Sequence, residues 1–257
     1  MRTCTETGLN LIASTSQTTH RISQTKYGAL NPPPRPLDGD RSSWGRWDVP
    51  GHRTVYAASS ETAAFSEVIS YITPDLPKQP LANFFDDVTL ADNDTLDEQI
   101  AAELPQHGAM ASRSISKGWR DERSSYTLTL PDDGWFVDVS ASQSISAIGL
   151  ALADELLAYE VPELTLGVIT GSLDKGITTT IAAWIHSRVL DDGTLPHGIV
   201  YRSKWGAEWR SWAIWLRKVD DGSSINSEPT KQAQIDGIGK HSKALREAAE
   251  LRNMRIY

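Results

Sequence analysis

The stretch Gly45–Val68, GRWDVPGHRTVYAASSETAAFSEV, sets Arg46, Tyr56 and Glu67 along one short segment. An arginine carries a planar, permanently charged fork that can grip two oxygens of an anion. A tyrosine offers an aromatic face and one hydroxyl, and a fixed carboxylate can stabilise positive charge as it develops. Glu67 lies at helical spacing from Ser60, Ala63, Ala64 and Tyr71, and the small members of that set leave a hollow beside it. By residue type alone, Arg46 and Glu67 also read as an ordinary salt bridge and Tyr56 as a core aromatic. Spacing does not separate the two readings.

The elements that would position these groups follow from local chemistry. HRTVYAASS alternates and carries β-branched residues, which predicts a strand bearing Tyr56. Ser59 or Ser60 can cap a helix whose apolar positions Ala64, Phe65, Val68, Ile69 and Ile72 recur at helical spacing, with Pro74 as its stop. Upstream, THRISQTKYG predicts a strand with Arg21, and LNPPPRPLDGDRSSWG predicts an exposed connection leading to Arg46. Downstream, a strand is expected over PLANFFDDVTL and a helix over DTLDEQIAAEL. Two strands flank a Pro-Asp-Asp-Gly turn at 131–134, and a helix spans SQSISAIGLALADELLAY. A further helix is expected over SLDKGITTTIAAWIHSRV, capped by Ser172, then strands over HGIVYRS, ending at Ser203, and WRSWAIWLRKV. The tail QAQIDGIGKHSKALREAAELRN reads as helical after a linker. The mixture, without regular βαβ alternation, predicts an α+β fold.

Composition bounds the possibilities. A chain of 257 residues with 39% hydrophobic content can bury a full core, and nine tryptophans call for core packing or a flat-ligand site. A net charge of −8 argues against a general nucleic-acid binder while leaving room for a local basic pocket. The single cysteine, Cys4, excludes an internal disulfide and a cysteine-based zinc cage, and fits a reducing compartment. With no apolar run of membrane length and a polar N-terminus, the expected location is cytoplasmic, with no membrane partner. Residues 1–18, rich in Thr and Ser, read as a flexible N-terminal arm. Residues 19–219 read as the domain, and 220–257 as a linker and a C-terminal helix packed on or beside it.

Several signals carry nothing. The six histidines show no i, i+4 pair and no HExxH, so no metal site is expected. DGIGKHSK misses the phosphate-loop pattern at both its first glycine and its last hydroxyl, and GVITGS lacks the dinucleotide fingerprint. Ser203 alone is an unremarkable strand-end hydroxyl.

Taken together, the Gly45–Val68 segment, the HRI at 20–22, GWRDERSSYTLTLPDDGWFVDVSASQSISAI and HGIVYRSKWG resemble the RES-domain family of bacterial toxins. The family's Arg-Trp, Pro-Gly, Tyr and Ala-x-x-Glu pattern falls on Arg46-Trp47, Pro50-Gly51, Tyr56 and Ala64–Glu67. Its Gly-Ile-x-Tyr-x-Ser element falls on Gly198, Ile199, Tyr201 and Ser203. One departure is Asp48, where the family pattern has asparagine. The long acidic segment from 76 to 111 and the two ends also exceed the compact form.

The resemblance implies an ADP-ribosyltransferase-like mixed β core, with a cleft between sheets and flanking helices, and an activity that destroys NAD⁺. Arg21, Arg46, Tyr56, Glu67 and Ser203 would then converge on the dinucleotide. Glu67 would steady an oxocarbenium-like ribose, Arg21 and Arg46 would hold the pyrophosphate, and Tyr56 would face nicotinamide. Ser203 would bond the ligand or orient Glu67. NAD⁺ is substrate rather than prosthetic group, the acceptor is water or phosphate, and no metal is needed. The resemblance also implies an antitoxin partner with an Xre-like helix-turn-helix domain, while a homodimer stays open. A protein ADP-ribosyltransferase and a non-catalytic module that binds NAD⁺ or ADP-ribose are the alternatives.

Overall fold

A computed structural model describes residues 1–72, 113–171, 175–222 and 224–257. Its strands are β1 (Arg2–Thr3), β2 (Asn10–Ala13), β3 (Thr18–Gln24), β4 (Thr54–Ala58), β5 (Ser114–Ile115), β6 (Arg123–Thr129), β7 (Trp135–Asp138), β8 (Gly198–Ser203), β9 (Gly206–Trp215), β10 (Thr230–Asp236) and β11 (Arg255–Ile256). Nine of them form one mixed sheet in the order β1-β2-β7-β8-β9-β4-β3-β6-β10, and β5 pairs with β11 apart from it. The helices are α1 (Glu61–Ile69), α2 (Lys117–Asp121), α3 (Ser142–Ala151), α4 (Ala153–Ala158), α5 (Leu166–Gly171), α6 (Lys175–His186), α7 (Arg217–Asp221) and α8 (Lys243–Leu251). The architecture is α+β, a large mixed sheet flanked by helices.

Strand β9 shows how one sequence feeds both faces of the sheet. Its successive side chains point to opposite sides, so Ala213 and Trp215 enter one core while Trp212 and Ile214 enter another. The first core is capped by α3 to α6 through Ile148, Leu156, Ile169, Ile181 and Ile185. A third core joins α1 to α8, with Ala63, Phe65 and Ile69 against Leu245, Ala248 and Ala249. Four tryptophans, Trp44, Trp47, Trp212 and Trp215, are buried, which absorbs much of the tryptophan excess in packing.

The sheet is continuous but not uniform. Strands β3 and β6 pair along seven residues, whereas β3 and β4 share only the His20–Ala58 register pair. Beyond it the two strands diverge, so the sheet is two blocks joined at one point. This is how a cleft opens within a single hydrogen-bonded sheet rather than between two separate ones.

Several expectations need correction. Residues 1–18 do not form a flexible arm: β1 and β2 extend the sheet beside β7, and Cys4, Leu9 and Leu11 are fully buried. Strands of two and four residues are too short to show periodicity. The start of the tail is a strand, not a helix, because Thr230–Asp236 pairs antiparallel with β6 along the sheet edge. Pro131–Gly134 turns as expected, with Gly134 at φ +81°, but β6 leaves it to pair with β3 and β7 to pair with β8. The helix expected over 142–159 divides at Leu152, whose φ and ψ of −117° and 27° are not helical. The strand expected over 209–219 ends at Trp215, and Arg217–Asp221 is helical. The expected strand over 80–90, the helix over 94–104 and the Ser172 cap lie outside the described residues.

Candidate active site

Helix α1 starts as its sequence requires. Ser60 Oγ accepts from Ala63 N at 3.1 Å, and Glu61 places negative charge in the first turn. Ala63, Phe65 and Ile69 fix one face against the C-terminal helix, which turns Glu67 and Ala64 toward the divergence of β3 and β4. On the sheet, Tyr56 pairs with Ala213 and Ala58 with Ser211, while Ile199 and Tyr201 pair with the same two β9 residues. Cross-strand partners share a face, so Tyr56 and Tyr201 are delivered to the same side by register alone.

The cleft holds about 390 Å³, within the range of small-molecule sites. Its lining includes Arg21, Arg46, Tyr56 and Glu67, which brings four of the five expected residues to one cavity. Ser203 stands one step behind: its Oγ donates to Glu67 Oε1 at 2.7 Å and accepts from Trp205 N at 3.1 Å. Ser203 therefore acts on the cavity through Glu67. Among the described residues Arg21, Arg35 and Arg46 line the cavity with Glu67, and the buried Asp48 pairs with Arg35, which leaves the arginines in excess of the carboxylates. In a chain of net charge −8, that makes the cleft a local basic site suited to an anionic ligand.

The arginines are held in different ways. Arg21 is buried and donates Nη1 to Tyr56 O at 3.1 Å, bridging β3 and β4 where their ladder is missing, and its Nε has no hydrogen-bond partner among the described residues. Burial lowers its pKa to about 10, which leaves it charged at neutral pH. Arg46 donates Nη1 to Thr170 O at 3.0 Å and Nη2 to Ile169 O at 2.8 Å, satisfying carbonyls at the end of α5. Its guanidinium also lies over Trp47 and Tyr201, at 5.7 and 5.3 Å from their ring centres. Among the described residues Arg46 and Glu67 form no salt bridge, so the ordinary ion-pair reading of the motif does not hold.

Tyr56 is anchored at its tip. Its hydroxyl donates to Asp48 Oδ1 at 2.8 Å and accepts from Trp47 N at 2.9 Å. Gly45 must lack a side chain because a Cβ there would collide with that ring. Asp48 completes the clamp, its Oδ2 accepting from Arg35 Nε at 2.5 Å and Gly45 N at 2.7 Å. Burial, reinforced by the Asp48 charge, drives the Tyr56 phenol well above its ordinary pKa. Burial followed by the nearby Glu67 does the same to Tyr201. Both phenols are neutral donors, not bases.

Sequence reasoning did not single out His20, Arg35, Trp44 and Tyr201 as site residues, yet all four line the cleft. Tyr201 was visible as part of the Gly-Ile-x-Tyr-x-Ser element. Trp44 and Arg35 sat in a stretch dominated by turn formers, where no periodicity marks a buried residue. Tyr71, three-quarters exposed, lines the cavity one helical turn beyond Glu67.

The family model of the RES domain matches residues 18–234. No curated protein matches the chain. Among solved structures, the crystal structure of the M. tuberculosis MbcT-MbcA toxin-antitoxin complex matches at 15% identity and a TM-score of 0.44, over 95% of this chain and 91% of that one. The family match spans most of the sequence and contains every residue placed in the cleft, and on it the chain belongs to the RES-domain family.

Proposed function

We propose that this protein consumes NAD⁺ by breaking the bond between nicotinamide and ribose. The observation that carries the proposal is the Ser203–Glu67 hydrogen bond at the wall of a cavity lined by three arginines. Cleavage of that bond passes through an oxocarbenium-like state, and a carboxylate fixed beside the ribose lowers its energy. With Oε1 occupied by Ser203, Oε2 is the oxygen offered to the ribose and its hydroxyls. Nicotinamide leaves as a neutral molecule from a cationic ring, so the step demands no strong general acid, in keeping with two neutral phenols in the cavity.

Arg21 and Arg46 both line the cavity, and each keeps a buried Nε without a hydrogen-bond partner among the described residues, so both are offered as pyrophosphate ligands. Arg46 spends two donors on α5 and presents the remainder, so its role is divided between holding the wall and meeting phosphate. Tyr56 contributes a ring face to the nicotinamide end. Water or inorganic phosphate accepts the ADP-ribosyl group, and an antitoxin with an Xre-like domain restrains the activity in the cell.

Following NAD⁺ and free nicotinamide with the purified protein, with and without phosphate, tests the reading. Release of nicotinamide by wild type but not by Glu67→Gln is expected, and dependence on phosphate would identify the acceptor. Survival of NAD⁺ with folded wild type alone, but loss with cell extract, would turn the assignment toward protein modification. Survival in both would overturn it.

A further inference from the structure

Away from the cleft, three groups distant in sequence converge. His52 lies in the turn before β4, His186 at the end of α6 and Asp221 at the end of α7. Their donor atoms all lie within 4.8 Å of one another. His52 Nδ1 stands 3.1 Å from Asp221 Oδ1, and His186 Nε2 stands 3.8 Å from Asp221 Oδ2. Both nitrogens are buried, and neither makes a hydrogen bond among the described residues. At 3.1 Å that means the His52 ring aims its nitrogen off the line to the carboxylate. The two ring centroids lie 4.3 Å apart with the planes tilted by 43°, and both rings have a nitrogen near the one carboxylate.

We propose that His52, His186 and Asp221 form a binding site for a divalent transition cation of the zinc class. Two imidazoles and a carboxylate are a ligand set that zinc accepts, with water in the fourth position. Tetrahedral bonds of ~2.1 Å space their donors roughly 3.4 Å apart, so the cluster closes on an ion with at most about 1.4 Å of contraction at its widest pair. Arg217 Nη1 reaches Asp221 Oδ2 at only 3.5 Å. Its shorter bonds go to Pro196 O and His186 O, each at 2.8 Å, so it leaves the carboxylate room to ligate while fixing the segment that carries His186.

The site would pin three elements behind the cleft. His186 packs edge-on against Trp215 at 5.0 Å, and Trp215 Nε1 donates to Trp47 O at 3.3 Å. An ion at this point therefore braces the loop that carries Arg46 and Asp48.

The test is calorimetric titration of the chelator-treated full chain with zinc chloride, alongside cobalt(II) absorption. Wild type should take up one zinc per chain, show the visible bands of four-coordinate cobalt and melt at a higher temperature with zinc. His52→Ala, His186→Ala and Asp221→Ala should each weaken uptake at least ~10-fold, while His241→Ala should leave it unchanged. Absence of saturable uptake by folded wild type overturns the proposal without any variant. So does equal uptake by a folded His186→Ala variant.

Discussion

The two sides of β4 carry opposite solutions to the same problem. Toward β9 the strand is fully paired, from Thr54–Trp215 to Ala58–Ser211. Toward β3 it keeps one register pair and then parts company. The β9 side adjoins a core capped by four helices, with Ile181 and Ile185 wholly buried. The β3 side exchanges ladder bonds for Arg21, which satisfies Tyr56 O with a side chain and keeps a buried Nε without a partner among the described residues. Stability thus resides where pairing is complete. The cavity lies where it is not, between Arg21 and Ile22 of β3 and Tyr56 and Ala57 of β4.

The sharpest way to break that comparison is a pair of substitutions, one from each side. Glu67→Gln should cut turnover ~100- to 1,000-fold, the loss seen when one preorganised electrostatic group is removed, and barely move the melting temperature. Ile181→Ala should do the reverse, destabilising by ~2–5 kcal/mol through an unfilled cavity while activity below the melting transition persists. Turnover assays and denaturant melts on both variants decide it. If Glu67→Gln unfolds the protein, Glu67 is structural and the division fails.

Acid provides a second contrast. His197, buried edge-on against Phe136 at 5.9 Å, has its pKa lowered to about 4 by burial. The unfolded chain binds this proton near the ordinary pKa of about 6.5, and the folded chain does not until about 4. Its contribution is therefore intact above about 6.5 and is lost as pH falls toward 4, by roughly 1.4 kcal/mol per pH unit. Melts of wild type and His197→Gln across that window should converge as pH drops. Parallel curves would show that His197 is protonated when folded.

Ser203→Ala sharpens the cleft side further. It removes the 2.7 Å bond to Glu67 without touching the cavity lining, so its expected cost is about 10-fold in kcat with KM nearly unchanged. A loss confined to KM would instead make Ser203 a direct ligand contact.

What the sequence disclosed follows the same division. The helix carrying Glu67 and the strand carrying Tyr56 were legible because capping and alternation are local signals, and Ser60 caps that helix in the structure, whereas the two residues themselves stood out only through the family motif. Arg46 was found by its motif, but its bonds to Ile169 and Thr170 depend on a helix more than a hundred residues away, which no local spacing encodes. The edge strands escaped for a physical reason. Thr230–Asp236 is exposed at every position, so it shows none of the alternation by which a half-buried strand is read. The His52–His186–Asp221 cluster was invisible to a search for neighbouring ligands because tertiary packing alone assembles it.

The smallest expected effect concerns Asp48, the departure from the family's asparagine. Its carboxylate takes one hydrogen from Tyr56 and two from Arg35 and Gly45. An asparagine turned with its oxygen toward Arg35 and Gly45 keeps those two bonds. Its amide then donates to the Tyr56 oxygen, whose second lone pair is open because Trp47 N uses only one. What is lost is charge and the acceptor of the Tyr56 O–H: the Arg35 contact becomes an ordinary hydrogen bond, the phenol proton must turn away from residue 48, and the upward push of Asp48 on the phenol disappears. Asp48→Asn should therefore cost about 1 kcal/mol and leave kcat within a few-fold, whereas Asp48→Ala, which strands three donors, should cost ~3 kcal/mol or more. Equal losses in denaturant melts of the two variants would mean that the negative charge itself, not the hydrogen-bond count, holds Tyr56 against the loop.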